Sequence, residues 1–181
     1  MLLSKQEILD RIEKHKLISN FIDLQEQLQP AGFDLTVEKI FRFKSAGAFD
    51  FDNKERKMSE TEELEWDKDD WLALTPGIYK IRFNEEVKIP NDIAGINILR
   101  SSLMRSGCLM HHGFWDPGYH GKGETAILVA NEHGLKLKRN AKVTQLTFHK
   151  LSEETSEGYM GVHHKEHIAD AGIHHGENAR L

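Results

Sequence analysis

The sequence has only one cysteine, no long apolar run and no recognisable export signal. Cys108 stands alone among 181 residues, which excludes disulfides within the chain and is compatible with a reducing cytosol. No apolar stretch approaches the length needed to cross a bilayer. The first residues lack a basic region followed by an apolar core, so we expect no secretory signal. We therefore predict a cytoplasmic protein with no membrane partner.

An excess of basic residues is also missing. Lysine and arginine total 24 against 29 aspartates and glutamates, which gives a formal net charge of −5. General nucleic-acid binders are usually basic, so we predict no nucleic-acid partner, although a local group of arginines could bind a single nucleotide. A chain of this length, with 39% hydrophobic residues, can form one domain around a buried core. We treat residues 1–181 as that single domain.

The sequence predicts one helix, at the N-terminus. Ser4 and Glu7 have the spacing of a capping box, and Ile8 and Ile12 follow at helical spacing. This pattern predicts a short amphipathic helix at residues 4–16.

The rest of the chain shows the alternation and turn residues of short strands. A turn at Pro30–Gly32 leads into a strand, and residues 21–29 before it are predicted to be irregular. Further strands are predicted at residues 40–43, 78–83, 87–90, 93–99, 125–131, 135–137 and 143–148. Short strands separated by Gly, Pro and Asn favour an all-β fold, either a barrel or a sandwich.

Two polar segments do not fit the strand pattern. Residues 50–70 are strongly acidic, and we predict a solvated loop or hairpin anchored by Trp66 and Trp71. A cation site there is the alternative, but its carboxylates lack a ligand spacing. Residues 153–181 are rich in glycine and histidine and predict a mobile, solvated tail. His163 and His167, four residues apart, would suit a metal if that tail were helical.

The stretch from Asn97 to Gly121 carries the chemistry. Four side chains that suit phosphate oxygens occur within six positions: Arg100, Ser101, Ser102 and Arg105. Asp116 follows in a turn with Pro117 and Gly118, and like charges repel, so it is better placed as a base for water than as a phosphate ligand. The alternatives are a strand end paired with acidic residues and a carboxylate that caps a turn. The combination indicates hydrolysis of a phosphate ester or anhydride.

Four blocks of sequence resemble one family. They are A-G-F-D-L at 31–35, R-S-S-L-M-R-S-G at 100–107, D-P-G-Y-H-G at 116–121 and T-Q-L-T-F at 144–148. The second block is the most specific of the four. In their order and separation they resemble the dUTPase and dCTP deaminase superfamily, and most closely its archaeal-type dUTPases.

The resemblance implies a fold, an assembly and a reaction. The fold would be a distorted, jelly-roll-related β-barrel with a short N-terminal helix, assembled as a homotrimer with active sites between subunits. The reaction would be hydrolysis of dUTP to dUMP and pyrophosphate, by attack of water at the α-phosphorus. Mg²⁺ would arrive with the triphosphate and be held mainly by phosphate oxygens and water.

The resemblance also assigns roles to individual residues. Asp116 would be the general base, and Asp34 would order water around Mg²⁺ without binding the ion directly. The phosphates would be bound by Arg100, Ser101, Ser102 and Arg105. Tyr119 would lie against the deoxyribose. Further substrate contacts would come from Ala126, Ile127 and Leu128, whose strand reads the base through backbone groups, and from Gln145, Tyr159 and Gly161.

The same superfamily contains deaminases, which need a glutamate in the strand after the D-P-G motif. Aligning on Asn131 places Leu128 at that position, and leucine cannot transfer a proton. Glu124 lies too early in the strand unless an insertion near Gly123 shifts the register. The sequence therefore favours the hydrolase over a deaminase or a bifunctional enzyme. A non-catalytic nucleotide-binding regulator is the third alternative, and the intact Asp116, Arg100 and Arg105 argue against it.

Overall fold

The computed structural model describes residues 1–168, and β-strands are their main regular structure. Three short helices are α1 Lys5–His15, α2 Leu24–Gln27 and α3 Ser101–Arg105. The strands in chain order are β1 Ile18–Ser19, β2 Leu28–Gln29, β3 Gly32–Phe43, β4 Thr61–Glu63, β5 Trp71–Leu74, β6 Gly77–Lys88, β7 Ile93–Leu99, β8 Cys108–His111, β9 His120–Val129, β10 Leu135–Lys138 and β11 Lys142–Lys150.

The strands form one large antiparallel sheet that curls towards closure. Its order is β7-β11-β3-β6-β9-β8, with β1 added to β6 and with β2 and β4 added to β3, while β5 and β10 form a separate pair. Gly95 of β7 and Trp115, in the loop after β8, exchange backbone hydrogen bonds of 2.9 and 3.1 Å. These bonds join the two ends of the sheet. The all-β, barrel-like fold predicted from the sequence is confirmed.

Helix α1 occupies the position predicted for it. The Ser4 hydroxyl accepts a hydrogen bond from the Glu7 amide, and the Glu7 carboxylate accepts one from the Ser4 amide at 3.0 Å. Ile8 and Ile12 point into the core, which is why the helix packs against the barrel. Within residues 1–168, no helix is long and apolar enough to span a membrane.

Several strands differ from their predicted bounds. β6 runs without interruption through residues 84–86, because a bulge between Arg82 and Glu86 keeps the strand paired with β9. β9 begins at His120, five residues before the predicted start. β5 and β8 were not predicted, since β5 is stabilised by pairing with β10 more than sixty residues away. Long-range pairing of this kind leaves no local pattern.

The described part of the predicted tail contacts the barrel. The Tyr159 amide donates to the carbonyl of Pro117 at 2.7 Å, and the Lys122 amide donates to the carbonyl of Glu166 at 3.1 Å. Residues 158–168, which we call the tail segment, therefore lie against the turn before β9 and against β9 itself. The remainder of the predicted tail, residues 169–181, lies outside the described residues, and so do His174 and His175.

A buried carboxylate fixes β3 to β6. Glu85 is fully buried, and its two oxygens accept hydrogen bonds from the Thr36 amide (2.9 Å), the Thr36 hydroxyl (2.6 Å) and the Gln27 side chain (2.7 Å). The same Gln27 nitrogen donates to the carbonyl of Asp34. Burial raises the pKa of Glu85, while these hydrogen bonds oppose the shift. The network thus holds the segment of β3 that carries Asp34.

We expect Glu85→Ala to lower the free energy of unfolding by about 3 kcal/mol, because the donors of Thr36 and Gln27 would remain buried without an acceptor. Urea denaturation measures this change. Glu62→Ala is the matched control, because its ion pair with Lys44 is exposed and should be worth less than about 0.5 kcal/mol. Equal losses in both variants would show that the Glu85 network does not stabilise the fold.

Candidate active site

A cavity of about 410 Å³ lies between the turn after β8, strand β9 and the tail segment. Four of the residues expected to contact substrate line it: Asp116, Tyr119, Ala126 and Tyr159. Its size falls in the range of small-molecule sites. The cavity is therefore our candidate for the nucleotide site.

The turn that carries Asp116 is held rigidly. Trp115, on one side, is 6% exposed, and its ring packs on the face of Gly123, where an added Cβ would lie 2.2 Å from a ring atom. Tyr119, on the other side, meets the Trp115 ring edge-on at 5.1 Å. Gly118 closes the turn at φ +83°, a conformation that favours glycine. The half-buried Asp116 carboxylate is thus fixed at the cavity wall.

Tyr119 is a wall of the cavity and not a proton donor. Its side chain is buried, and burial together with nearby carboxylates, chiefly Glu166, raises the pKa of its phenol well above the ordinary value. The ring of Tyr159 lies 5.9 Å from that of Tyr119. Gly161 is exposed and lies beside the Tyr159 ring, outside the cavity lining.

The predicted phosphate-binding residues form a second group. We call it the arginine cluster, and it comprises Arg100, Ser101, Ser102, Arg105, Asp34 and Gln145. Leu103 is buried and fixes α3 to the barrel, while the two serines and Arg105 are exposed. Gln145 of β11 pairs directly opposite Asp34 of β3. Among residues 1–168, no member of the arginine cluster lines the cavity of the same chain.

Asp34 has an unusual environment for a turn or strand carboxylate. Its Oδ2 atom is buried, has no hydrogen-bond partner among the described residues, and lies 3.5 Å from Arg100 Nε and 3.9 Å from Lys142 Nζ. Burial raises the pKa of Asp34, and the two cations partly oppose this. An unpaired oxygen can accept a hydrogen bond from a metal-bound water, whereas the neighbouring cations disfavour direct metal binding. The residues present fit Mg²⁺ through water.

Four consecutive residues of strand β9, Gly123 to Ala126, line the cavity. Ala126 lines it, whereas Ile127 is fully buried in the core and the half-buried Leu128 lies outside the lining. The predicted base contacts concern backbone groups of this strand and stay a prediction. Glu124, two residues before Ala126, also lines the cavity and was not predicted as a site residue. The period of two in a strand is the signal that would have found it.

Glu124 is held by two cations. Lys80 Nζ lies 2.8 Å from one carboxylate oxygen, and the Arg82 guanidinium donates to the other at 3.0 and 3.1 Å. Burial alone would raise the pKa of Glu124, but its contacts with His167, Lys80 and Arg82 lower it to about 2. The carboxylate is therefore ionised at neutral pH.

Residues from the acidic segment reach the mouth of the cavity. Met58 and Phe43, at the end of β3, line it together with Phe114, and all three side chains are exposed by more than a third. The segment itself is a short hairpin, with a bridge between Ala48 and Lys57, followed by β4. This contact gives part of the acidic segment a position at the site.

Comparisons with known proteins identify the family of this chain. The profile of the dCTP deaminase-like family matches residues 2–151. A relative from Methanosarcina mazei, named "probable deoxyuridine 5'-triphosphate nucleotidohydrolase", is 45% identical over 91% of this chain and 97% of its own length. The Archaeoglobus fulgidus relative with the same name is 43% identical over 92% of this chain and 97% of its own length.

A further sequence relative and a solved structure are also similar to this chain. The deoxyuridine 5'-triphosphate nucleotidohydrolase of Methanocaldococcus jannaschii is 36% identical, over 71% of this chain and 83% of its own length. The solved dCTP deaminase of Agrobacterium tumefaciens shares the fold, with a TM-score of 0.63 and 20% identity over 81% of this chain and 46% of that one. On the profile match and these identities, the chain belongs to the dCTP deaminase-like family and resembles its archaeal dUTP nucleotidohydrolases.

Proposed function

We propose that the protein hydrolyses dUTP to dUMP and pyrophosphate, as a dUTP diphosphatase of pyrimidine deoxynucleotide metabolism. The observation that carries the proposal is the placement of Asp116 and Tyr119 on one rigid turn at the wall of a cavity of nucleotide size. The names of the archaeal relatives point to the same reaction. We place the reaction in the cytoplasm, where Cys108 stays reduced.

Asp116 would act as the general base. A carboxylate at the cavity wall can orient a water and take its proton as the water attacks the α-phosphorus. Tyr119, packed between Trp115 and Tyr159, offers an apolar face to the sugar and leaves little room for a 2′-hydroxyl. Ala126 and the backbone of β9 would border the base. The arginine cluster would stabilise the charge that develops on the phosphates.

A homotrimer would bring the two groups together. In one chain the arginine cluster does not line the cavity, so a triphosphate bound beside Asp116 needs phosphate ligands from elsewhere. A second copy can supply them in a closed ring. Ile96 and Ile98 of β7 are 42% and 53% exposed, and such apolar side chains are suited to burial between subunits.

Mg²⁺ is part of the proposal as a companion of the triphosphate. When bound, it would neutralise phosphate charge and so assist departure of pyrophosphate. Asp34 would accept a hydrogen bond from its coordinated water through the unpaired Oδ2 atom.

The competing function is deamination of dCTP. It requires a carboxylate that can both hold and release a proton near the base. The carboxylates in the cavity lining are Asp116, Glu124 and Glu166, and of these Glu124 lies on β9, the strand proposed to border the base. Its contacts with His167, Lys80 and Arg82 lower its pKa to about 2, so it carries no proton at neutral pH. This observation favours the hydrolase.

Incubation of the purified protein with dUTP, dCTP or dTTP and Mg²⁺ tests the proposal. We expect pyrophosphate from dUTP alone. Formation of uracil nucleotides from dCTP would establish a deaminase instead. Binding of dUTP without turnover would identify a regulator and contradict the proposal.

We expect Met58→Ala to raise the KM for dUTP about fivefold and to leave kcat nearly unchanged. The lost contact at the cavity mouth is apolar and worth about 1 kcal/mol in both the ground and transition states. Steady-state kinetics measures the split. Phe51→Ala is the control, since Phe51 is fully exposed on the same segment and lies outside the lining. An unchanged KM in Met58→Ala would exclude this wall from substrate binding.

A further inference from the structure

The tail segment reaches the cavity through a chain of ion pairs that no step of the proposed reaction uses. Glu166 Oε2 lies 2.8 Å from His163 Nδ1, and Glu166 Oε1 lies 3.4 Å from His167 Nε2. His167 Nε2 is also 3.3 Å from Glu124 of β9. Glu124, Glu166 and His167 are each less than a fifth exposed. The chain thus joins the tail segment to a carboxylate that Lys80 and Arg82 hold in place.

The backbone follows the same course. The Lys165 amide donates to the carbonyl of His120 at 2.6 Å, next to the bond between Lys122 and Glu166. At the other end of the tail segment, Gly158 packs on Gly118. A Cβ added to Gly118 would lie 2.5 Å from the Cα atom of Gly158. Between these two attachments, Tyr159 is held against Tyr119.

We propose that Glu124 is a positioning residue: it anchors the tail segment on β9 and so holds Tyr159 against Tyr119 at the cavity wall. The inference rests on the proposed function for its kinetic consequence, but not for the anchoring itself. Breaking the anchor releases Tyr159 from the sugar side of the cavity and weakens substrate binding. The turn of Asp116 keeps its own backbone bonds between Gly95 and Trp115, so we expect chemistry at Asp116 to be preserved.

The charges around the anchor make it depend on pH. The hydrogen bond with Glu166 raises the pKa of His163, against the effect of burial and of Arg56. Burial and Arg82 would lower the pKa of His167, but Glu124 and Glu166 outweigh them and raise it. The remaining titratable and charged groups on β6, on β9 with the turn before it, and on the tail segment are Tyr79, Lys80, Glu85, Glu86, Lys88, Asp116, Tyr119, His120, Lys122, Tyr159, His164 and Lys165.

The direction of these pKa shifts determines whether attachment of the tail segment becomes stronger or weaker as the pH rises. A histidine whose pKa is raised in the docked state contributes its full hold below its ordinary value of 6.5 and loses it as pH rises through the raised pKa. The carboxylates act oppositely. Glu124 stabilises the docked tail segment at pH values above 4.5, the ordinary pKa of a glutamate. This stabilisation is lost only as the pH falls through about 2, the lowered pKa of Glu124. The tail segment is therefore held most firmly between about pH 4.5 and 6.5 and is released as the pH rises through the raised pKa values of His163 and His167.

A divalent cation is the competing occupant. The ligand atoms of Glu124, Glu166 and His167 all lie within 4.8 Å of one another. However, Lys80 and Arg82 already neutralise Glu124 and would repel a cation placed beside it. The charge balance therefore favours protonated histidines as the partners of these carboxylates.

The anchoring can be measured without any substrate. A dye attached to Met160→Cys in the full-length protein reports tail motion through its anisotropy, since Met160 is 81% exposed and Cys108 is buried. We expect high anisotropy at pH 6 that falls by pH 9. Glu166→Gln should give the low value already at pH 6, whereas Glu157→Gln, an exposed tail glutamate, should keep the parent curve. Equal anisotropy at pH 6 and 9 in the parent, or a fall on adding EDTA at pH 6, would overturn the proposal.

The kinetics test the role of Glu124 itself. We expect Glu124→Gln to raise the KM for dUTP about tenfold at pH 6 with little change in kcat, the effect of one charge-assisted hydrogen bond. His167→Gln should do the same, and the double variant should be no worse than the stronger single variant, because both break one contact. Additive effects would overturn the anchor. Absence of dUTP turnover in the parent would refute the proposed function and leave the anisotropy result standing.

Discussion

Replacement of Asp116 by asparagine is expected to lower kcat for dUTP hydrolysis about a thousandfold and to leave nucleotide affinity nearly unchanged. The amide keeps the shape of the side chain on its turn between Trp115 and Pro117 but cannot accept a proton from water. Release of pyrophosphate measures kcat. Calorimetry with a non-hydrolysable dUTP analogue measures affinity, so the two effects can be separated.

Asp69→Asn is the control for this experiment, because Asp69 is exposed in the acidic segment and lies outside the cavity lining. It should retain the parent rate. A near-normal kcat in Asp116→Asn would remove Asp116 from the role of base. Loss of binding in that variant would show that the carboxylate positions the nucleotide instead.

Replacement of Arg100 by alanine is expected to lower kcat about a hundredfold, since a preorganised cation that faces the phosphates contributes mainly to the transition state. Arg42→Ala, at an exposed position of β3, is the control. The more decisive measurement mixes the two inactive variants, Asp116→Asn and Arg100→Ala, by joint unfolding and refolding.

If the arginine cluster of one subunit serves the cavity of the next, mixed trimers contain intact sites. Random mixing should restore about a quarter of the parent activity, because three quarters of the trimers are mixed and each has one intact site in three. Activity that stays at the level of the separate variants would place the whole site within one chain and contradict the shared arrangement.

The sequence predicted the parts of this protein that depend on local pattern. The capping box of Ser4 and Glu7 predicted a helix where the structure has α1. The alternation in residues 78–83 predicted a strand where the structure has β6. The order of the motif blocks led to the family and to the barrel. The turn at Pro117 and Gly118 predicted that Asp116 and Tyr119 lie close together, because a tight turn brings the residues on either side of it near one another.

What the sequence could not predict depends on contacts between distant residues. The acidic composition of the chain near Met58 indicates a solvated hairpin, and nothing local shows that it borders the cavity. The glycine- and histidine-rich composition of the tail likewise gives no indication that His167 contacts Glu124 of β9. Alignment on Asn131 placed Leu128, and not Glu124, at the position of the deaminase glutamate. The alignment therefore gave no reason to predict that Glu124 lines the cavity.

The seam between Gly95 and Trp115 has a consequence for how this protein can change over evolutionary time. The same backbone bonds that close the barrel also hold the turn of Asp116, and the Trp115 ring needs the bare surface of Gly123. A substitution that breaks these bonds would open the barrel and displace Asp116 at the same time. We expect substitutions at the cavity mouth and in the tail segment to change substrate binding without opening the barrel, because these parts border the cavity but do not close the sheet.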